Sequence, residues 1–169
     1  GKASERIGRR RPKEAAEILQ VAENLFKSLD DARGEGEACA ALAGVVDDDD
    51  RALEYLERYL QIAEAATAAA NDDDALVARA DASRRLGELR LKRGEFEEAA
   101  QLFRENFSIS RQLLGRGEAT TTQVEKARIL LGVALGNAAK QRYLGALLDH
   151  DSAPLLAWKN SRTPLPAHN

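Results

Sequence analysis

Apolar residues recur at helical spacing along most of the chain, and the first series follows Pro12. Proline suits a first helical turn because that turn does not use the missing amide proton. Apolar positions three and four residues apart then predict a helix over residues 12–31. Its apolar stripe comprises Ile18, Leu19, Ala22, Leu25, Phe26 and Leu29. The segment "DDARGEG", residues 30–36, predicts a break, and residues 37–46 predict a short second helix of small residues.

Runs of aspartate precede the next two predicted helices, as "DDDD" at residues 47–50 and within "NDDD" at residues 71–74. Acidic side chains at a helix start accept hydrogen bonds from free amides and complement the positive end of the helix dipole. A calcium loop would need ligands at alternate positions, a central glycine and a later glutamate, and this pattern is absent. The runs therefore predict helix starts, and the second of these helices is expected to end near Lys92.

Glycine marks the boundaries of the later helices. Gly94 is expected to separate the fourth helix from a fifth, and "LGRGEATT", residues 114–121, to end the fifth. The fifth carries Phe96, Ala99, Leu102, Phe103, Phe107 and Leu113 on its apolar side. Residues 129–135 are apolar nearly all round, which predicts a buried helix, continuous with a bend through Gly136 and Asn137. The segment "DSAPLLAWKN" predicts a short last helix, and residues 161–169 an extended tail.

Parts of the chain repeat. The segment "ALEYLERYLQIA", residues 52–63, aligns without gaps on "AAQLFRENFSIS", residues 99–110, which lies 47 residues later. The matched pairs are Ala52 with Ala99, Leu56 with Phe103, Leu60 with Phe107, and Ile62 with Ile109. A second series runs through the partner helices of these segments, around Leu42, Leu86 and Leu131. Self-similarity at a fixed period is typical of helical repeat arrays.

The central unit resembles the tetratricopeptide repeat family. The residues at that family's spacings are Leu86, Gly87, Gly94, Phe96, Ala99 and Phe103. Small residues allow two helices to approach, glycine makes the turn, and aromatic rings fill the seam. The resemblance covers about residues 14–135. The unit exceeds the usual length of about 34 residues, which resembles the longer variety found in scaffold proteins of the cell cortex. Ser83 and Arg90 replace the aromatic residues usual in the first helix.

This resemblance implies an all-α fold, a right-handed superhelical solenoid of about three antiparallel helical hairpins with a short C-terminal capping helix. The expected organisation is a basic segment at 1–11, a repeat domain at 12–148, the capping helix at 149–160 and the tail at 161–169. The chain begins with Gly1, and we expect it to be a fragment of a longer protein.

Composition and candidate chemistry favour a binding protein over an enzyme. A net charge of −3 lacks the basic excess of nucleic-acid-binding domains. No apolar run approaches the length of about 20 residues that a membrane span needs, so we expect a cytoplasmic protein. Cys39 is the single cysteine and is expected to be buried in a helix. His150 and His168 lack metal-ligand spacing. We predict a non-catalytic protein without a cofactor.

The family resemblance implies a concave groove lined by the first helix of each pair, which binds an extended peptide or a helix of another protein. The expected groove residues are Asp81, Arg84, Glu88, Lys92, Ile129 and Val133. Arg84 with Glu88, and Glu88 with Lys92, are also spaced for ion pairs, so a merely solvated face remains an equal alternative. Glu88 stands where the family's carboxylate clamp needs an amide, which predicts weak or no binding of an acidic C-terminal peptide.

Both ends of the chain carry a candidate contact. A basic patch comprises Arg6, Arg9, Arg10 and Arg11. It is either a solvated helix start or a contact with an acidic polymer surface such as a microtubule or a nucleic acid. Trp158 is either an anchor for a partner or part of the cap on the last unit. The C-terminal segment is similar to ciliary tetratricopeptide proteins associated with axonemal dyneins.

Together the resemblances imply a scaffold or adaptor of a ciliary, axonemal or cytoskeletal assembly, with dynein or microtubule-associated proteins as partners. The alternative is a regulatory helical-repeat domain of a larger enzyme or signalling protein.

Overall fold

The computed structural model describes residues 12–70, 73–150 and 152–162, which form seven α-helices and no β-strand. The predicted all-α class is confirmed. The helices are α1 (Pro12–Ser28), α2 (Ala32–Val45), α3 (Asp49–Ala70), α4 (Asp73–Lys92), α5 (Phe96–Arg116), α6 (Thr121–Leu148) and α7 (Ser152–Ser161). Each helix packs mainly against its neighbours in sequence. The basic segment 1–11 and residues 163–169 lie outside the described residues, and none of the described helices is both long and apolar enough to cross a membrane.

The predicted break at residues 30–36 is present but shorter than predicted, because α1 ends at Ser28 and α2 already begins at Ala32. A short turn joins α1 to α2, and the Asp31 carboxylate accepts a hydrogen bond from the Gly34 amide at 3.0 Å. Gly34 and Gly36 are buried in the first turns of α2. A Cβ atom at Gly34 would overlap the ring of Phe26 on α1. These glycines therefore allow close helix contact, and that packing outweighs their low helix propensity.

Helices α3 and α4 begin at aspartates, as predicted, and the carboxylate of Asp48 accepts from the Asp50 amide at 3.0 Å. The aspartates also reach across to the next helix. Asp49 lies 2.8 Å from the Lys92 ammonium nitrogen, and Asp73 lies 2.6 Å from a guanidinium nitrogen of Arg116. Both pairs span 43 residues. The acidic start of one helix thus meets the basic end of the following helix, which shows that each pair is antiparallel.

The α4–α5 hairpin contains Gly87 and Gly94, the two glycines at the family's spacings, and it packs closely around Gly87. Gly94 adopts a φ of 80° in the turn, a conformation that favours glycine. Ala99 and Phe103 on α5 are fully buried. A Cβ atom at Gly87 would lie 2.7 Å from Cε1 of Phe103. The absence of a side chain at Gly87 therefore makes room for this ring.

Burial repeats along the chain at the same interval as the sequence. Helices α3 and α5 bury equivalent positions 47 residues apart over most of their length. The buried pairs include Ala52 with Ala99, Leu56 with Phe103, Tyr59 with Asn106, and Ile62 with Ile109. Leu60 and Phe107 are half-buried at a further equivalent pair. The two helices thus occupy the same kind of position within the packing.

The helices at the two ends are less buried than predicted. Helix α1 ends at Ser28, earlier than expected, and Ile18 and Leu25 of its stripe are exposed. Helix α6 is continuous through Gly136 and Asn137, as predicted, but Ile129 is also exposed. Complete burial of residues 129–135 was therefore a wrong prediction. The physical reason is that among the described residues α6 packs mainly on α5, which covers one side.

Helix α7 forms at the predicted place but contributes little to the core. It begins at Ser152, with Pro154 in its first turn, and it contains no buried residue. Its contacts with α6 are few. Among the described residues, the buried core therefore lies in helices α2 to α6.

Candidate functional site

A groove of about 740 Å³ opens between α2, α4 and the start of α6, with residues of α3 and α5 at its floor. The floor combines small and larger side chains. It includes Tyr59, Ile62 and Ala63 of α3 with Asn106 and Ser110 of α5, and Gly36, Ala78 and Ala80 line the groove beside them. Arg33 and Asp74, in the first turns of α2 and α4, form an ion pair at 3.0 Å. Equivalent ends of these two helices thus lie side by side along the groove.

Three polar side chains, those of Tyr59, Asn106 and Ser110, lie buried in the floor. Tyr59 packs on Gly36, where a Cβ atom would lie 3.1 Å from the ring. Burial raises the pKa of the Tyr59 hydroxyl, and the negative charge of Asp81 adds to this effect. The Asn106 side-chain amide donates a hydrogen bond to the Ala80 carbonyl at 2.8 Å, which connects α5 to α4. The floor therefore offers hydroxyl and amide groups within a largely apolar surface.

The rim of the groove carries charges that already have partners. The Arg84 guanidinium contacts Asp81 at 2.6 Å and Glu88 at 2.9 Å. Burial opposes the positive charge of Arg84, but hydrogen bonds to these two carboxylates outweigh it and raise the pKa of Arg84. Ion pairs that stay partly exposed to solvent, as these do, contribute only about 0–1 kcal/mol each. A ligand can therefore exchange them at small cost in stability.

The structure brings together only part of the predicted groove set. Asp81 and Arg84 line the groove, and Glu88 lies on the exposed side of α4, paired with Arg84. Lys92 contacts Asp49 of α3, so the predicted pairing with Glu88 is wrong. The reason is tertiary, because the antiparallel α3 places a carboxylate 2.8 Å from the lysine.

The other predicted contact residues lie away from this groove. Ile129 and Val133 are exposed on α6 and are not part of its lining. The basic patch of Arg6, Arg9, Arg10 and Arg11 lies outside the described residues. Trp158 is 41% exposed on α7, and the Arg162 guanidinium lies 4.9 Å from its ring centroid.

Sequence reasoning missed the residues that form the floor. Tyr59 and Asn106 are 47 residues apart, at equivalent positions of the repeat. Asn106 also interrupts the apolar side of α5 between Phe103 and Ile109. A polar residue in line with buried positions is the signal that could have drawn attention to this site.

The described residues contain no group of three or more histidine, cysteine, aspartate or glutamate side chains that could hold a metal ion. Cys39 is buried, and burial raises the pKa of its thiol to about 11, so the reactive thiolate is scarce at neutral pH. In comparisons with known proteins, no family model, no curated protein and no solved structure matches the chain.

Proposed function

We propose that this chain is a non-catalytic scaffold or adaptor whose groove binds an extended peptide or a helix of another protein. The groove between α2, α4 and α6 carries this proposal. Its floor is apolar enough to bury side chains of a ligand, while Tyr59 and Asn106 add polar groups. Such a combination suits a peptide, which presents apolar side chains and a polar backbone.

The proposal includes a tetratricopeptide-like array of helical hairpins. Three observations support it: the shared burial of α3 and α5, the antiparallel ion pairs, and the side-by-side starts of α2 and α4. The close contact between Gly87 and Phe103 supports the resemblance of the central unit. Arrays of this kind use their concave surface for extended ligands.

The charges around the groove favour a ligand without a strong net charge. Lining residues of both signs occur, and they comprise Arg33, Arg84 and Lys126 with Glu37, Asp74, Asp81 and Glu118. A strongly acidic peptide and a strongly basic peptide would each meet lining residues of like charge. We expect apolar anchors to lie over Ile62 and Val77, with mixed charges in the flanking residues. The ciliary likeness rests on the sequence pattern alone and stays a prediction.

Selection from a library of random peptides, followed by titration with purified protein, tests the function. Val77→Glu introduces a carboxylate into the groove at an exposed position, and binding should weaken by at least tenfold, which corresponds to about 1.4 kcal/mol. Val21→Glu is the matched control, because it makes the same exchange at an exposed position of α1 outside the groove lining. Selection of no peptide, or equal weakening by both variants, would refute the proposal.

Arg84→Glu gives a second test of the same site. The side chain lies on the rim and is partly exposed, so the fold should persist while peptide affinity changes. Ala99→Arg should instead unfold the chain, since it places a long charged side chain in a fully buried helix contact. If thermal melts showed equal losses of stability for the two variants, the assignment of Arg84 to the groove rim and of Ala99 to a buried helix contact would be wrong.

A further inference from the structure

Three polar side chains in the floor of the groove carry hydrogen-bonding groups that the described part of the chain does not use. Tyr59, Asn106 and Ser110 are only 8%, 5% and 7% exposed, and all three line the groove. Neither the Tyr59 nor the Ser110 hydroxyl forms a hydrogen bond with a described residue. The Asn106 amide nitrogen donates to the Ala80 carbonyl at 2.8 Å, while its side-chain oxygen accepts no hydrogen bond from the described residues. These groups are therefore available to a ligand.

Other buried hydroxyls of the chain are placed differently. Thr67 on α3 is as buried as Tyr59, but its hydroxyl donates to the Ala63 carbonyl at 2.7 Å. The Ser83 hydroxyl has no partner among the described residues either, but it is fully enclosed, so a ligand cannot reach it. The hydroxyls of Tyr59 and Ser110 lie at the groove instead. Because a buried polar group without a partner costs stability, these two hydroxyls indicate a site that a ligand completes.

The spacing of the polar groups suits an extended chain. Tyr59 and Asn106 occupy equivalent positions of the repeat, and Ser110 follows Asn106 by four residues on α5. Residues four apart on one helix face have Cβ atoms about 5–6 Å apart. In an extended peptide, the N–H and C=O groups of alternate residues point to the same edge and recur about every 6.6 Å. Alternate residues of such a peptide can therefore reach Asn106 and Ser110.

We propose that the groove binds its ligand as an extended chain, through hydrogen bonds between the peptide backbone and Tyr59, Asn106 and Ser110. This inference rests on the proposed function and specifies the ligand as an extended segment rather than a helix. A helix uses its backbone N–H and C=O groups internally, so it would leave the three floor groups without partners. An extended chain has these backbone groups free to form hydrogen bonds with the floor.

The remaining lining residues suit the side chains of an extended ligand. Successive side chains of an extended peptide point to opposite faces, so every second one faces the floor. Ala63 and Ala78 leave space beside the polar groups, while Ile62 and Leu113 provide apolar contact. We therefore expect apolar anchors at alternate positions of the ligand. A helical ligand would instead place its anchors three and four residues apart.

Charges at the rim fit a ligand that carries both signs in its flanking residues. Arg33 and Arg84 are already paired with carboxylates of this chain. Lys126 and Glu118, in contrast, are exposed lining residues near the start of α6, and neither forms an ion pair with a described residue. One acidic and one basic residue of the ligand would complete these two contacts. The α6 side of the groove is thus complementary to a mixed-charge flank.

Removal of single hydroxyl groups tests the backbone contacts, with a peptide selected from the random library as the ligand. Tyr59→Phe and Ser110→Ala should each weaken binding by about threefold to tenfold, the effect of one lost hydrogen bond. The urea midpoint should not fall, because neither hydroxyl has a partner in the free protein. Tyr143→Phe and Ser108→Ala are the matched controls, since they remove the same groups at exposed positions outside the groove lining. Both controls should bind like wild type.

Changes in the peptide itself distinguish an extended backbone from a helix. An ester at one position replaces the amide N–H by oxygen, makes the carbonyl a weaker acceptor and leaves the side chains intact. A scan of single esters should find at least one position at which binding to the wild-type protein weakens by about threefold to tenfold. That loss should shrink in the Ser110→Ala variant, where the partner is missing. Circular dichroism should show no gain of helical signal when the peptide binds.

The possible outcomes separate this inference from the proposed function. If Val77→Glu weakens peptide binding while Tyr59→Phe and Ser110→Ala leave it unchanged, the backbone contacts are wrong and peptide binding in the groove stands. A gain of helical signal on binding, or an ester scan without any effect, would also overturn the extended chain alone. Equal weakening by Tyr59→Phe and Tyr143→Phe would overturn it as well. If the library yields no peptide, the proposed function fails and this inference fails with it.

Discussion

Substitution of Gly87 by alanine directly tests how the central hairpin is packed. The added Cβ atom would lie 2.7 Å from Cε1, 3.0 Å from Cδ1 and 3.1 Å from Cζ of the Phe103 ring. Carbon atoms attract one another best at about 3.5–4.0 Å. Phe103 is fully buried, so its ring cannot move away into solvent. The helices or the ring must shift to accommodate one methyl group.

Two opposing contributions set the change in the free energy of unfolding that Gly87→Ala causes. Overpacking of a well-packed core costs about 1–3 kcal/mol, whereas replacement of glycine by alanine within a helix contributes about 0.5–1 kcal/mol of stability. The packing term dominates because all three close contacts are with one buried ring. We therefore expect Gly87→Ala to lower the free energy of unfolding by about 1–2 kcal/mol, or Tm by about 2–8 °C for a chain of this length.

Urea denaturation followed by circular dichroism measures this loss. Gly132→Ala is the matched control, since Gly132 also lies inside a helix but has no described atom near its Cβ position. That variant should gain about 0.5–1 kcal/mol. Gly87→Ala should cost less in a Phe103→Leu background than in the wild type, because the smaller side chain leaves space; a double-mutant cycle measures this difference. A Gly87→Ala variant at least as stable as wild type would refute the close-contact reasoning.

Three further predictions concern buried polar groups. The Ser83 hydroxyl is buried without a hydrogen-bond partner among the described residues, so Ser83→Ala should raise the free energy of unfolding by about 1 kcal/mol; a lower urea midpoint would contradict this. The pKa of Cys39 is raised from 9.0 to about 11 in the folded state, so folding favours the protonated thiol. Its stabilising contribution is complete below pH 9 and is lost as the pH rises towards 11; melts of Cys39→Ala across this range should lack that part of the decline. The Glu35 carboxylate is almost fully buried and lies 2.7 Å from Arg58, so Arg58→Met should cost about 1–3 kcal/mol, and adding Glu35→Gln should recover part of the loss if the unpaired charge is the cause.

Local sequence determined most of the helices. The positions of α3, α4 and α5 follow from apolar periodicity, the aspartates at helix starts and the turn at Gly94, all of which act within a few residues. The repeat also predicted which positions of α3 and α5 are buried, such as Leu56 and Phe103. These features are readable because a helix forms its hydrogen bonds within a single segment.

Tertiary structure decided the remaining features, since each depends on residues far apart in the chain. Gly34 remains helical because Phe26 packs on it, and Lys92 pairs with Asp49 because an antiparallel helix brings the carboxylate close. The groove floor around Tyr59 likewise exists only after α2, α3 and α4 have packed. Periodicity shows that a face such as the one containing Ile129 is apolar. Whether another helix covers that face depends on the arrangement of whole helices, because burial is a property of neighbours rather than of the segment itself.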